Sequence, residues 1–220
     1  MILDDLAALR QWSVLQPTVR LVEGPPLVDE EIDRLPELID EAHSSRLPVP
    51  FRPEDFTVPR GYRAFLRICS FLRIEYRDGG GWATYEPFNI FSPQEVAKGH
   101  SFIDGATLDD EEIYTSFLVA FATAGYATEA SRWCFYTDAD VERQDGELAI
   151  LCESNDFECD LAKYVETGLW VPDPFNHPAS LSFADWFHRL VRVVIQRPFD
   201  SERTDEIPNS FYQTSAGENG

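Results

Sequence analysis

Residues 56–96, FTVPRGYRAFLRICSFLRIEYRDGGGWATYEPFNIFSPQEV, hold the succession of elements that decides the fold. After Pro59, the side chains of Tyr62, Phe65, Leu66 and Cys69 fall on one side of a helical projection. Arg60, Arg63, Arg67 and Ser70 fall on the other, so the segment reads as a surface helix lying on a core. Its arginine face has three readings: a solvated face, a set of pairs with neighbouring carboxylates, or a phosphate site. Next, Leu72, Ile74 and Tyr76 alternate with Arg73, Glu75 and Arg77, the period of a half-buried strand. Asp78 and the glycines Gly79, Gly80 and Gly81 end it in a turn or bulge, because glycine tolerates positive φ. WATYEPFNIF reads as one or two short extended pieces. Ser92-Pro93-Gln94-Glu95 then has the form of a helix start, with a serine cap, proline at the first helical position and glutamate three residues on.

Toward the N-terminus, Ile2, Leu6 and Leu9 share one face of a short helix over residues 1–15. The stretch Gln16 to Pro26 holds three prolines and reads as a connector. In residues 28–41, Val28, Ile32, Leu35 and Ile39 form a helical stripe, with Asp29, Glu30 and Glu31 crowding the positive helix terminus. Pro36 removes a backbone donor inside that pattern, which predicts a kink or two short helices. Four prolines between Ser44 and Pro59 predict a loop.

Toward the C-terminus, SFLVAFA (116–122) is apolar on both alternations and reads as a strand buried on both faces, with a helix over 110–122 as the competing reading. RWCFYT (132–137) and ELAILC (147–152) are strands on either side of an acidic loop containing Asp145-Gly146, a hairpin dipeptide. A helix is expected near 158–167. The last element is a helix capped by Ser182, with Asp185 three residues later, a buried stripe of Phe183, Phe187, Leu190 and Val194, and Pro198 beyond its end. The division that follows is an N-terminal extension over 1–26, a single domain over 27–198 and a polar acidic tail over 199–220.

Composition narrows the function. Of 220 residues, 39 are acidic and 18 basic, a net charge of −21. Such a charge repels nucleic acid and anionic membrane and favours a cationic partner. MILDDLAALRQW has acids where a signal peptide would be apolar, and the longest nearly apolar run, SFLVAFATAGYA, is far shorter than the ~20 residues of a membrane span. A cytoplasmic protein is expected, in which Cys69, Cys134 and Cys152 pack as small buried hydrophobes.

No catalytic motif accompanies this pattern. Gly79–Gly81 lacks the spacing of a dinucleotide loop, and Asp78 beside it would repel phosphate. Asp138, Asp140 and Glu142 start like a calcium loop, but Arg143 stands where glycine must bend and Ala149 where a bidentate glutamate belongs. Cys152 and Cys159 have no second pair at zinc spacing, and the histidines are scattered. No metal, cofactor or catalytic residue is expected.

The charge is densest at 138–160. Asp138, Asp140, Glu142, Asp145, Glu147, Glu153, Asp156, Glu158 and Asp160 stand against Arg143 alone, −8 in 23 residues. One reading is a solvated edge that discourages sheet aggregation; the other is a partner-binding patch that steers a basic protein onto this surface.

The order of elements resembles the SUKH superfamily, which includes fungal cell-wall regulators of the Smi/Knr type and bacterial immunity proteins. The likeness rests on the acidic helix at 28–41, on FTVPRGYRAFLR, on the glycine cluster Gly79–Gly81 and on IFSPQEV. It continues through SFLVAFA, RWCFYT and ELAILC and ends in SFADWFHRLV, covering residues 28–196. The Asn-Gly that often follows the family's first strand-helix unit is absent, with Arg77-Asp78-Gly79 standing there, and the acid-rich connector at 104–112 and the C-terminal tail have no counterpart in the family. The resemblance implies an α+β fold with a mostly antiparallel meander, flanked by N-terminal helices and a C-terminal helix. It also implies a non-enzymatic role, the binding and neutralisation of a toxin; the charge suggests a basic one. A regulatory scaffold is the alternative, and an acidic hydrolase stands third.

Overall fold

The structure, a computed structural model, describes residues 1–43, 54, 56–108, 111–124, 132–136, 147–153 and 181–202. Six α-helices are present among them: α1 (Ile2–Val14), α2 (Asp29–Asp33), α3 (Leu35–His43), α4 (Arg60–Leu66), the single turn α5 (Pro93–Glu95) and α6 (Phe183–Ile195). Seven strands form one sheet: β1 (Val19–Glu23), β2 (Leu72–Asp78), β3 (Gly81–Ile90), β4 (Ser101–Leu108), β5 (Glu111–Thr123), β6 (Arg132–Tyr136) and β7 (Ala149–Glu153). Every pairing is antiparallel, in the order β1-β2-β3-β5-β6-β7, with β4 also on β5. The fold is α+β, as the sequence predicts.

The helix boundaries follow local chemistry. A break at Arg34 divides residues 29–43 into α2 and α3 and leaves Pro36 in the first turn of α3, where its missing N–H has no intrahelical partner to lose. Ser92 Oγ accepts from the Glu95 N–H at 3.3 Å, while Glu95 Oε2 accepts from the Ser92 N–H at 2.8 Å, a complete capping box. Ser182 Oγ likewise accepts from the Asp185 N–H at 3.2 Å.

Two segments read as connectors are strands. Gln16–Pro26 contains β1, which lies beside β2 with Leu21 opposite Ile74. Pro17 precedes this edge strand and Pro25-Pro26 follows it, so prolines bracket its free edge. The connector at 104–112 is occupied by β4 and the start of β5. Ile90 faces Ala122 and Ser101 faces Val119, so β3 and β4 are successive parts of one line along the same edge of β5. Residues 91–100, with α5 and a π-helical turn at Val96–His100, are an excursion from that line.

The core is aromatic. Tyr62 and Phe65 of α4 and Phe183, Trp186 and Phe187 of α6 are buried against Phe121 of β5 and Trp133 and Phe135 of β6. Tyr62 lies 5.1 Å from both Phe135 and Phe183, and Phe121 stacks on Phe135 at 4.2 Å between centroids. In β5, Val119, Ala120, Phe121 and Ala122 are all buried, as expected of a strand covered on both faces. A β-bulge between Ala120 and Ala122 inserts Phe121 into the ladder opposite β6.

Residues 1–23 share this core: Leu6, Leu9, Trp12 and Val19 belong to it, and α1 packs on α6. Trp12 Nε1 donates to the Arg197 carbonyl at 3.0 Å. Beyond α6, Phe199 packs against Trp12, Tyr76 and Tyr85. The helix expected near 158–167 and residues 203–220 lie outside the described residues.

Candidate functional site

β6 and β7 form the expected antiparallel pair, with Tyr136 opposite Ala149 and Arg132 opposite Glu153. Of the acids read as partner-binding, Asp138, Asp140, Glu142, Asp145, Asp156, Glu158 and Asp160 lie outside the described residues. Glu153 ends β7. Glu147 precedes β7. It is buried, with Oε1 3.5 Å from Arg60 Nε.

The arginine face of α4 is paired with carboxylates. Arg63 bonds both Asp29 and Asp33, and Arg67 places Nε and Nη2 each 2.9 Å from the Asp29 carboxylate. The hydrogen bond from Arg67 is the main cause holding the Asp29 carboxyl below its ordinary range. These arginines clasp α2 to α4, and that pairing, not phosphate binding, accounts for them.

Other arginines follow suit. Arg10 pairs with Glu23 at 2.8 Å, Arg20 with Glu75 at 2.7 Å and Arg73 with Glu95 at 3.4 Å. With 39 acids against 18 bases in the chain, even complete pairing leaves an excess of 21 negative charges.

A second polar cluster sits where β3 departs from β2, and the sequence reading did not anticipate it. Arg73 faces Asn89 and Glu75 faces Thr84, so β3 spends extra residues, Tyr85 to Phe88, on a bulge opposite Ile74. Pro87 lies inside the bulge, where its missing N–H is tolerated. The bulge sets Glu86 on the surface beside Arg73, Asn89 and Thr123, whose hydroxyl donates to the Glu86 carbonyl. Arg73 also lies 4.7 Å over the Phe71 ring.

Glu86 is exposed as a residue, yet its carboxyl is crowded. Burial holds that carboxyl above its ordinary range, against hydrogen bonds with Thr123 and Asn89 and the charge of Arg73. Asn89 is only 9% exposed; its Oδ1, like Arg73 Nε, has no hydrogen-bond partner among the described residues. The sequence signal for this corner was the interruption of alternation at Glu86-Pro87, followed at once by the Ser92–Glu95 cap.

Nucleophile and metal chemistry gain nothing from the described residues. Cys69 and Cys134 are buried, and burial pushes the Cys69 thiol up to about 12. No group of three or more His, Cys, Asp or Glu side chains among the described residues is placed to hold a metal ion. No described helix is long and apolar enough to cross a membrane. Comparison of the chain with protein-family models, with curated proteins and with solved structures returned no match.

Proposed function

We propose that this chain is a non-enzymatic protein-binding module of SUKH type, an immunity protein that neutralises a basic toxin by direct binding. One observation carries the reading: the arginines that the fold uses are spent on its own carboxylates, and the acidic excess remains. A surface of that sign concentrates a cationic protein around it and accelerates encounter. The acids at 138–160 other than Glu147 are the proposed contact region. The hydrolase reading is weaker, because Arg73 pairs with Glu95 beside Glu86.

The test is co-purification with the product of the neighbouring gene, followed by association kinetics. Reversing Asp138, Asp140, Asp145 and Asp156 to lysine is expected to slow association and to flatten its dependence on salt. Unchanged on-rate and salt slope would remove the reading.

A further inference from the structure

We infer that the free edge of β1, flanked by the outer side of α1, receives an extended segment of the cationic partner as an added strand. The inference rests on the reading of this chain as a module that binds a basic protein. It adds a main-chain contact to that reading, separate from the 138–160 region.

The parity of the ladder decides which β1 groups are open. The Arg77 N–H donates to the Thr18 carbonyl at 2.9 Å, and the Gly24 N–H donates to the Phe71 carbonyl at 3.0 Å. Both pairs continue the β1–β2 register, so Arg20 and Val22 between them bond β2. Leu21 and Glu23 therefore point their N–H and C=O groups the other way. Val19 points the same way, but its N–H is taken by the Gln16 carbonyl at 3.2 Å. β1 ends the sheet, and among the described residues no strand lies beyond it. Pro17 and Pro25 stand on either side, which limits an added strand to the five residues of β1.

α1 supplies the side-chain half of the contact. Arg10 Nε donates to Glu23 Oε1 at 2.8 Å, so that side of α1 stands at the β1 edge. Leu3, Arg10 and Val14 lie within about 40° of one another around the helix. Leu3 is 63% exposed and Val14 84%. A strand beside β1 would turn one of its two faces toward them, so backbone pairing and apolar burial act together.

Charge selects the occupant. A second copy of this chain would bring another 21 negative charges to the edge, whereas a cationic segment is attracted to it. The pleat gives that segment its pattern: apolar residues toward α1, lysine or arginine on the opposite face.

The experiment titrates the full chain with the acetylated, amidated peptide Lys-Val-Lys-Val-Lys-Val-Lys while NMR follows the backbone amides. In the free chain the Leu21 and Glu23 amide protons are expected to exchange rapidly with solvent. The peptide is expected to shift them saturably and slow their exchange. N-methylation of its valines, whose amides would face β1 when their side chains face α1, is expected to abolish binding. Val14→Gln is expected to weaken binding about tenfold, and Val28→Gln, at the exposed residue before α2, to leave it unchanged. The backbone spectrum of each variant reports its folding. Slow exchange of both amides in the dilute free chain would mean an edge already covered by its own chain. Slow exchange only at high concentration, with dimers in sedimentation, would mean an edge closed by a second copy. Either result overturns the inference, as does equal binding by the N-methylated peptide or by Val14→Gln. Failure here with salt-sensitive partner association intact removes only the edge contact. Peptide binding at the edge with partner association unaffected by charge reversal at 138–160 removes the acidic patch and leaves the edge.

Discussion

Arg67 grips Asp29 with two nitrogens, Nε on one carboxylate oxygen and Nη2 on the other, each at 2.9 Å. The pair joins the helix before the proline-rich segment to the helix after it. Because the folded-state value of Asp29 is depressed, its contribution to stability is present above the ordinary carboxylate range and is lost as pH falls through the folded value. Arg67→Gln is expected to raise the Asp29 value measured by NMR titration. The stability gap between the native chain and Asp29→Asn should close on acidification; a gap independent of pH would show that the fork contributes nothing.

Glu86 has the opposite sign. Burial raises its folded-state value, so the folded state holds its proton more tightly than the unfolded chain. Its contribution is favourable below the unfolded value, about 4.3, and is lost as pH rises toward the folded one. Glu86→Gln is therefore expected to stabilise the chain at neutral pH relative to the native residue, with the advantage disappearing near pH 4. Denaturant melts at the two pH values check it, and an advantage that grows on acidification would contradict the assignment.

The Tyr62 hydroxyl is buried without a hydrogen-bond partner among the described residues, and burial pushes the phenol well above its ordinary value. Tyr62→Phe keeps the ring contacts with Phe135 and Phe183 while removing the unsatisfied group. A gain of about 1 kcal/mol in unfolding free energy is expected. A loss of similar size would mean that the hydroxyl has a partner.

Gly24 and Gly80 differ in what a side chain would meet. A Cβ on Gly24 would lie 2.2 Å from Ser70 Oγ and 2.4 Å from the Phe71 ring, whereas one on Gly80 would meet nothing within 4 Å. Gly24→Ala is expected to cost about 1–3 kcal/mol by overpacking, with Gly80→Ala near neutral. Thermal melts of the two variants separate steric from conformational causes, since neither glycine has positive φ.

Cys69 is buried with its thiol pushed up to about 12. In the folded chain it should resist a thiolate-selective reagent at pH 8 and react at the rate of unfolding. Mass spectrometry of peptides after timed labelling checks this, and rapid modification of the native chain would show that the α4 end opens.

The α4–β2–turn–β3 segment was legible because each element carries its own periodicity and each boundary its own chemistry, such as the Ser92 cap and the glycine turn with Gly79 at φ 56°. α6 was legible for the same reason. β1 was hidden by its flanking prolines, and β4 by the acids around it; both are strands because a neighbour completes their ladders, a long-range condition that local pattern does not contain. The pairing of Glu147 with Arg60 joins residues far apart in sequence, so composition counted Glu147 among free acids. The Glu86 corner escaped notice because it depends on a bulge whose length only the β2–β3 register defines.

The packing of α1 on α6 sets an order on synthesis. Asp5 bonds His188 at 2.8 Å across 183 positions, and Trp12 reaches Arg197 across 185. α1 leaves the ribosome well before the helix on which it docks. Until α6 emerges, Leu6, Leu9 and Trp12 lack the helix that covers them in the fold. A helix made early is thus secured late, by a partner that follows it out of the ribosome.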